Sequence, residues 1–169
     1  LGSLAETNLL AVSSYTGQPE MQGGLVKTLD FKIYLGLLSE SYNDDHSADL
    51  LRVGAVAFDM VVGNLSPFRS TVARDGATLE NARGNIDIGG PCMLRAAAKN
   101  FLRVAAVCDP ADYPALVEEL KGNGGALTLE TRFQFAKRAF RHTADYDTAI
   151  ADYLESKDIS SVSGTYEKS

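Results

Sequence analysis

The chain has 169 residues, 45% hydrophobic and 22% charged, with 15 Gly and 5 Pro, an ordinary globular composition that fits one domain better than two. Sixteen Lys and Arg against 22 Asp and Glu leave a formal charge of -6, so the overall field repels nucleic acid and anionic membranes, and an anionic ligand must be held by local cations. Asp59 interrupts the most apolar stretch, Val53 to Leu65, before it approaches the roughly 20 residues of a membrane span, and Leu1 to Leu10 lacks the basic start of a signal peptide.

In chain order, Leu9 to Val12 reads as a short strand that runs into a long loop, Ser13 to Thr28, whose Gly17, Pro19, Gly23 and Gly24 suit a backbone approaching a ligand. Asn43 to His46 offers caps for a short amphipathic helix through Ala48, Leu50, Leu51 and Val53, stopped by Gly54. Phe58 to Leu65 predicts a buried strand closed by Ser66-Pro67. Ala77 to Ala82 reads as a short helix, and Gly89-Gly90-Pro91 opens another over Cys92 to Phe101, rich in alanine. Val104 to Val107 predicts a strand. Asp109-Pro110 then starts a helix through Tyr113, Leu116, Val117 and Leu120 that ends at Gly122. Leu129 to Leu154 carries a long helical pattern with a bend or break near His142-Thr143. Residues 1–155 form the expected domain, and 156–169 a polar, poorly packed tail. Alternating strands and helices argue for an α/β domain with a mostly parallel sheet and ligands at the C-terminal ends of its strands.

Few residues stand out chemically. Cys92 and Cys108 lack any C-x-x-C pattern and read as two small buried thiols, reduced in a cytosol. His46 and His142 have no ligand neighbours at metal spacing, so no metal site is expected. Lys27-Thr28 closes the first Gly-rich loop, where an ammonium and a hydroxyl suit a phosphate or oxyanion, or lie on a solvated surface. Asp87 precedes a glycine pair at a helix start, placed either to serve a ligand there or to cap the helix. Lys99 sits near the far end of that helix, where a cation also suits the helix dipole. Ser66 follows a strand and is explained by the turn at Pro67.

Taken together, the strings Tyr-Thr-Gly-Gln-Pro-Glu-Met (15–21), Val-Lys-Thr-Leu (26–29), Asn-Leu-Ser-Pro-Phe (64–68), Asn-Ile-Asp-Ile-Gly-Gly-Pro (85–91), Leu-Arg-Ala-Ala-Ala-Lys-Asn (94–100) and Asp-Pro-Ala-Asp-Tyr (109–113) resemble the inosine monophosphate cyclohydrolase domain. In that family the domain is the N-terminal half of a bifunctional purine-biosynthesis enzyme. Ala-Phe-Arg-His-Thr-Ala-Asp-Tyr-Asp (139–147) and Ile-Ala-Asp-Tyr-Leu (150–154) continue the match.

The resemblance implies a methylglyoxal-synthase-like three-layer α/β/α fold and closure of 5-formamidoimidazole-4-carboxamide ribotide to inosine monophosphate with loss of water, in the cytoplasm and without metal or redox cofactor. It implies Lys27, Asp87 and Lys99 as catalytic residues: Lys99 as oxyanion stabiliser or proton donor, Asp87 and Lys27 as the groups that orient and deprotonate the attacking amide. Thr28, Asn64, Ser66, Ile88 and Gly89 become substrate contacts. A homodimer and a separate formyltransferase are the implied partners. The sequence departs from the family pattern in three places. Ser66 replaces a tyrosine, Asp30-Phe31 replaces His-Pro, and only fourteen residues precede Tyr15, where the family carries a first strand, a first helix and phosphate-binding loops. Upstream residues are therefore expected to complete the folding unit. The departures also leave open a catalytically weak nucleotide-binding module, or one part of a split bifunctional enzyme.

Overall fold

The computed structural model describes residues 8–19 and 28–166, with the side chains of the last helix as far as Ser163. After an extended start, α1 (Val12–Thr16) ends at Gly17, whose positive φ of 76° closes the turn. In α2 (Phe31–Leu38), Asp30 is the N-cap, its carboxylate accepting from Lys32 N at 2.8 Å. Asn43 caps α3 (Asp44–Val53) in the same way, and Gly54 ends it. Next come β1 (Met60–Val62), α4 (Phe68–Val72), α5 (Leu79–Gly84) and α6 (Gly89–Lys99). Thr78 and Asn81 close a reciprocal capping box on α5. Then β2 (Ala105–Val107), a 3-10 turn (Pro110–Asp112), α7 (Tyr113–Gly122), α8 (Leu129–Glu155) and α9 (Ile159–Tyr166) follow.

β1 and β2 pair in parallel, with Met60 opposite Ala105 and Val62 opposite Val107; the helices between them provide the crossover that parallel pairing requires. Helices cover both faces of β2, which makes three layers. Ala106 packs with Ile33 and Leu37 of α2 and with Leu94 and Ala97 of α6. Ala105 and Val107 meet Leu116 of α7 and Phe135 of α8 on the other face. A second cluster joins Phe68, Ala82, Tyr146 and Ala149, so α8 spans both cores. Below the strands, buried Asn100 and the Arg103 guanidinium satisfy the last carbonyls of α2: Asn100 donates to Leu37 O and Ser39 O at 2.8 and 2.9 Å, Arg103 to Gly36 O at 2.6 Å. Among the described residues no helix is long and apolar enough to cross a membrane.

The α/β class and the parallel sheet agree with the expectation; several elements differ. Residues 9–11 join no strand and Val12 starts a helix, because Tyr15 turns back to set its ring edge-on to Phe58, centroids 5.7 Å apart, and its hydroxyl accepts from Val56 N. The strand within 58–65 is only three residues long and Val62 is 51% exposed, since its outer edge has no partner among the described residues. α2 and α4 were not expected. α6 starts three residues early, at the glycine pair itself. α8 runs unbroken through Thr143, whose hydroxyl donates to Phe140 O within the helix. The polar tail contains α9, which lies against α5. Cys92 is half-buried rather than buried, whereas Cys108 is buried.

Candidate functional site

The loop after β1 and the N-terminus of α6 meet at Asp87. One carboxylate oxygen accepts from Gly90 N at 2.8 Å, the other from Ser66 N at 3.1 Å. The carboxylate thus caps α6 and ties the loop after β1 to it; each oxygen keeps a second lone pair. The glycine pair is what permits this proximity. A Cβ on Gly89 would lie 2.1 Å from the Thr28 hydroxyl, and one on Gly90 2.8 Å from the Asp87 carboxylate. With Gly90 N–H engaged, Pro91 without one, and Cys92 N–H bonded to Ile88 O, Gly89 keeps the first-turn donor left for a ligand among the described residues. Tyr146 of α8 holds the segment from behind: its hydroxyl donates to Asn85 O at 3.0 Å and accepts from Asp87 N at 2.9 Å.

Beside this cluster lies an open cavity of about 470 Å³ at the ends of β1 and β2. Asn64, Ser66 and Arg69 form one wall, Cys108 and Asp109 the floor, His142 and Tyr146 the wall from α8. Burial, with Asp112 and Asp109 adding repulsion, pushes the Cys108 thiol up. Burial likewise pushes the Tyr146 phenol up. Both therefore keep their protons at neutral pH.

Thr28, Ser66, Asp87 and Gly89 are brought together around the start of α6. Asn64 joins them through the cavity wall, and Ile88 is exposed beside them. Lys27 lies outside the described residues. Lys99 is exposed at the other end of α6, about 15 Å along the helix axis from Gly89 at 1.5 Å per residue. Asp30 is buried as the α2 cap. Sequence reasoning missed His142 and Tyr146, although their i, i+4 spacing puts them on one face of α8.

A parallel-sheet α/β domain with a glycine-paired helix start and an open cavity at the strand ends is a ligand-handling architecture. Residues 2–92 match the family model described as MGS-like domain, and residues 97–169 match that described as AICARFT/IMPCHase bienzyme. The chain belongs to the MGS-like domain family, and its resemblance to the cyclohydrolase domain is borne out. It is 50% identical over 148 residues to the bifunctional purine biosynthesis protein PurH of Neisseria gonorrhoeae (strain NCCP11945), covering 88% of this chain and 28% of that protein. With PurH of Neisseria meningitidis serogroup A it shares 48% over 159 residues, 94% of this chain and 30% of that protein. The crystal structure of ForH superposes with a TM-score of 0.71 at 32% identity, covering 85% of this chain and 74% of that one. The chain spans less than a third of the length of the curated relatives named here.

Proposed function

We propose that the domain is an IMP cyclohydrolase, closing 5-formamidoimidazole-4-carboxamide ribotide to inosine monophosphate in the cytoplasm. The observation that carries the reading is the gathering of Thr28, Ser66, Asp87 and Gly89 at the start of α6, beside a cavity at the strand ends. The identity to PurH supports it. In the reaction the carboxamide nitrogen attacks the formyl carbon of the same molecule, so holding a reactive conformer supplies much of the acceleration. Gly89 N–H and Thr28 bind the nucleotide with Lys27, Asn64 and Ile88 provide the neighbouring contacts, and Asp87 fixes the position of Ser66 against the reacting amide.

Within one chain α6 holds Lys99 apart from Asp87, so Lys99 acts as oxyanion stabiliser in a site shared by two copies. A homodimer follows from this reading. Incubation with the formamido ribotide is expected to yield inosine monophosphate. Lys99→Ala and Asp87→Ala chains, each inactive alone, are expected to recover part of the activity when mixed. Absence of both turnover and inosine monophosphate binding at millimolar concentration sinks the proposal. Binding without turnover selects the second reading, a nucleotide-binding module, which the engagement of both Asp87 oxygens with backbone N–H groups favours.

A further inference from the structure

We propose that His142 carries the protons of the ring closure in the cavity at the strand ends, an inference that rests on the cyclohydrolase reading. His142 lies on the α8 wall of that cavity, one turn before Tyr146, whose hydroxyl grips the backbone on both sides of Ile86. Ser66, whose N–H donates to the Asp87 carboxylate, lines the same cavity. A substrate that reaches from the start of α6 into the cavity therefore meets this imidazole.

The other groups facing the cavity are unsuited or already engaged. Arg69 has no acceptor and donates to Asp145 O at 2.9 Å. Asp109 caps the 3-10 turn through Ala111 N at 2.9 Å. Cys108 and Tyr146 hold their protons tightly, and Asp145, which also lines the cavity, is an exposed residue whose carbonyl accepts from Arg69. From the neighbouring elements, Arg95 of α6 is held over the Phe140 ring, and Arg138 is paired with Asp112. Neither ring nitrogen of His142 has a hydrogen-bond partner among the described residues. A neutral imidazole offers one donor and one acceptor, and it is the side chain that ordinarily changes charge between about pH 5 and 8.

Such a carrier meets the proton balance of the reaction. As the carboxamide nitrogen bonds to the formyl carbon, it loses one proton, and the formyl oxygen gains one to become a hydroxyl. The formamido nitrogen then loses its proton while the C–O bond breaks, and the hydroxyl takes up a proton and leaves as water. Each step removes a proton from nitrogen and delivers one to oxygen, so the imidazole returns to its starting state without any co-reactant.

The test compares the wild type with His142→Gln. Expected are a fall in kcat of about 10²–10⁴-fold, little change in inosine monophosphate affinity, loss of the limb of the pH–rate profile due to the imidazole, and partial rescue of His142→Ala by added imidazole. The chain holds two histidines, so the ring signals of His142 are assigned by their disappearance in the variant. Inosine monophosphate is expected to shift them and to leave His46 unmoved. Turnover within twofold of wild type, an unchanged pH profile, or unmoved His142 signals in protein that binds the nucleotide overturns the assignment and leaves the cyclohydrolase reading standing. A wild type that binds without turnover overturns the cyclohydrolase reading, and the proton role of His142 with it.

Discussion

β2 is at most 1% exposed along its length, with Ile33, Leu94 and Ala97 packed on one side and Leu116 and Phe135 on the other. β1, its partner in the same register, leaves Val62 half exposed and faces an apolar groove lined by Tyr15, Val56 and Phe58. The difference separates what holds the domain together from what remains open. Stability is concentrated where α6 and α8 enclose β2, and the polar chemistry collects where both strands end.

Leu94→Ala is expected to test this contrast most strongly. The side chain is 1% exposed in the central cluster, so its loss should cost about 2–5 kcal/mol in chemical denaturation. Asp87→Ala should follow at about 1–3 kcal/mol, because Ser66 N–H and Gly90 N–H both lose their acceptor; Asp87→Asn, with one carbonyl oxygen, should recover part of that loss. A smaller effect is expected at alkaline pH. The Tyr34 hydroxyl is buried beside Cys92, and burial, with Cys92 adding to it, pushes its phenol up to about 12 from 10.0. Above pH 10 the unfolded chain releases this proton while the folded chain retains it, so stability falls as pH rises from 10 towards 12. Melting curves of Tyr34→Phe should show a shallower decline in that window. Val62→Thr should shift stability by no more than about 0.5 kcal/mol; a loss matching that of Leu94→Ala would erase the distinction between the two strands.

Much of the β2 side was legible because its signals are local. Val104 to Val107 is a continuous apolar run, Gly89-Gly90-Pro91 marks a helix start, and Asp109-Pro110 marks the next. α2 was not legible: its sequence, Phe31 to Leu38, is apolar on nearly every face and contains Gly36, a position fixed only when Val56 and Phe58 close on it. Leu9 to Val12 misled for a related reason, since the contacts of Tyr15 with Val56 and Phe58 are more than 40 residues distant in sequence. In the site, Asp87 and its glycines were visible as a motif, whereas Lys99 was assigned by resemblance and is held apart from them by the length of α6. His142 lies within the string 139–147 that carries the resemblance, but no role was attached to it there. Its cavity is assembled from residues 64–70, 108–110 and 142–146, a juxtaposition that no single window contains.

The brevity of β1 has a consequence for the colloidal behaviour of the protein. Ala105 N–H bonds to Asp59 O and Gly63 N–H to Val107 O, so alternation leaves Met60 and Val62 to direct their backbone groups at the open side. Self-association into stacked strands needs six or seven suitable residues, far more than this edge presents. A net charge of -6 adds mutual repulsion between copies. This edge, which has no partner among the described residues, is thereby kept from serving as a template for fibrous growth, even though the groove beside it is apolar.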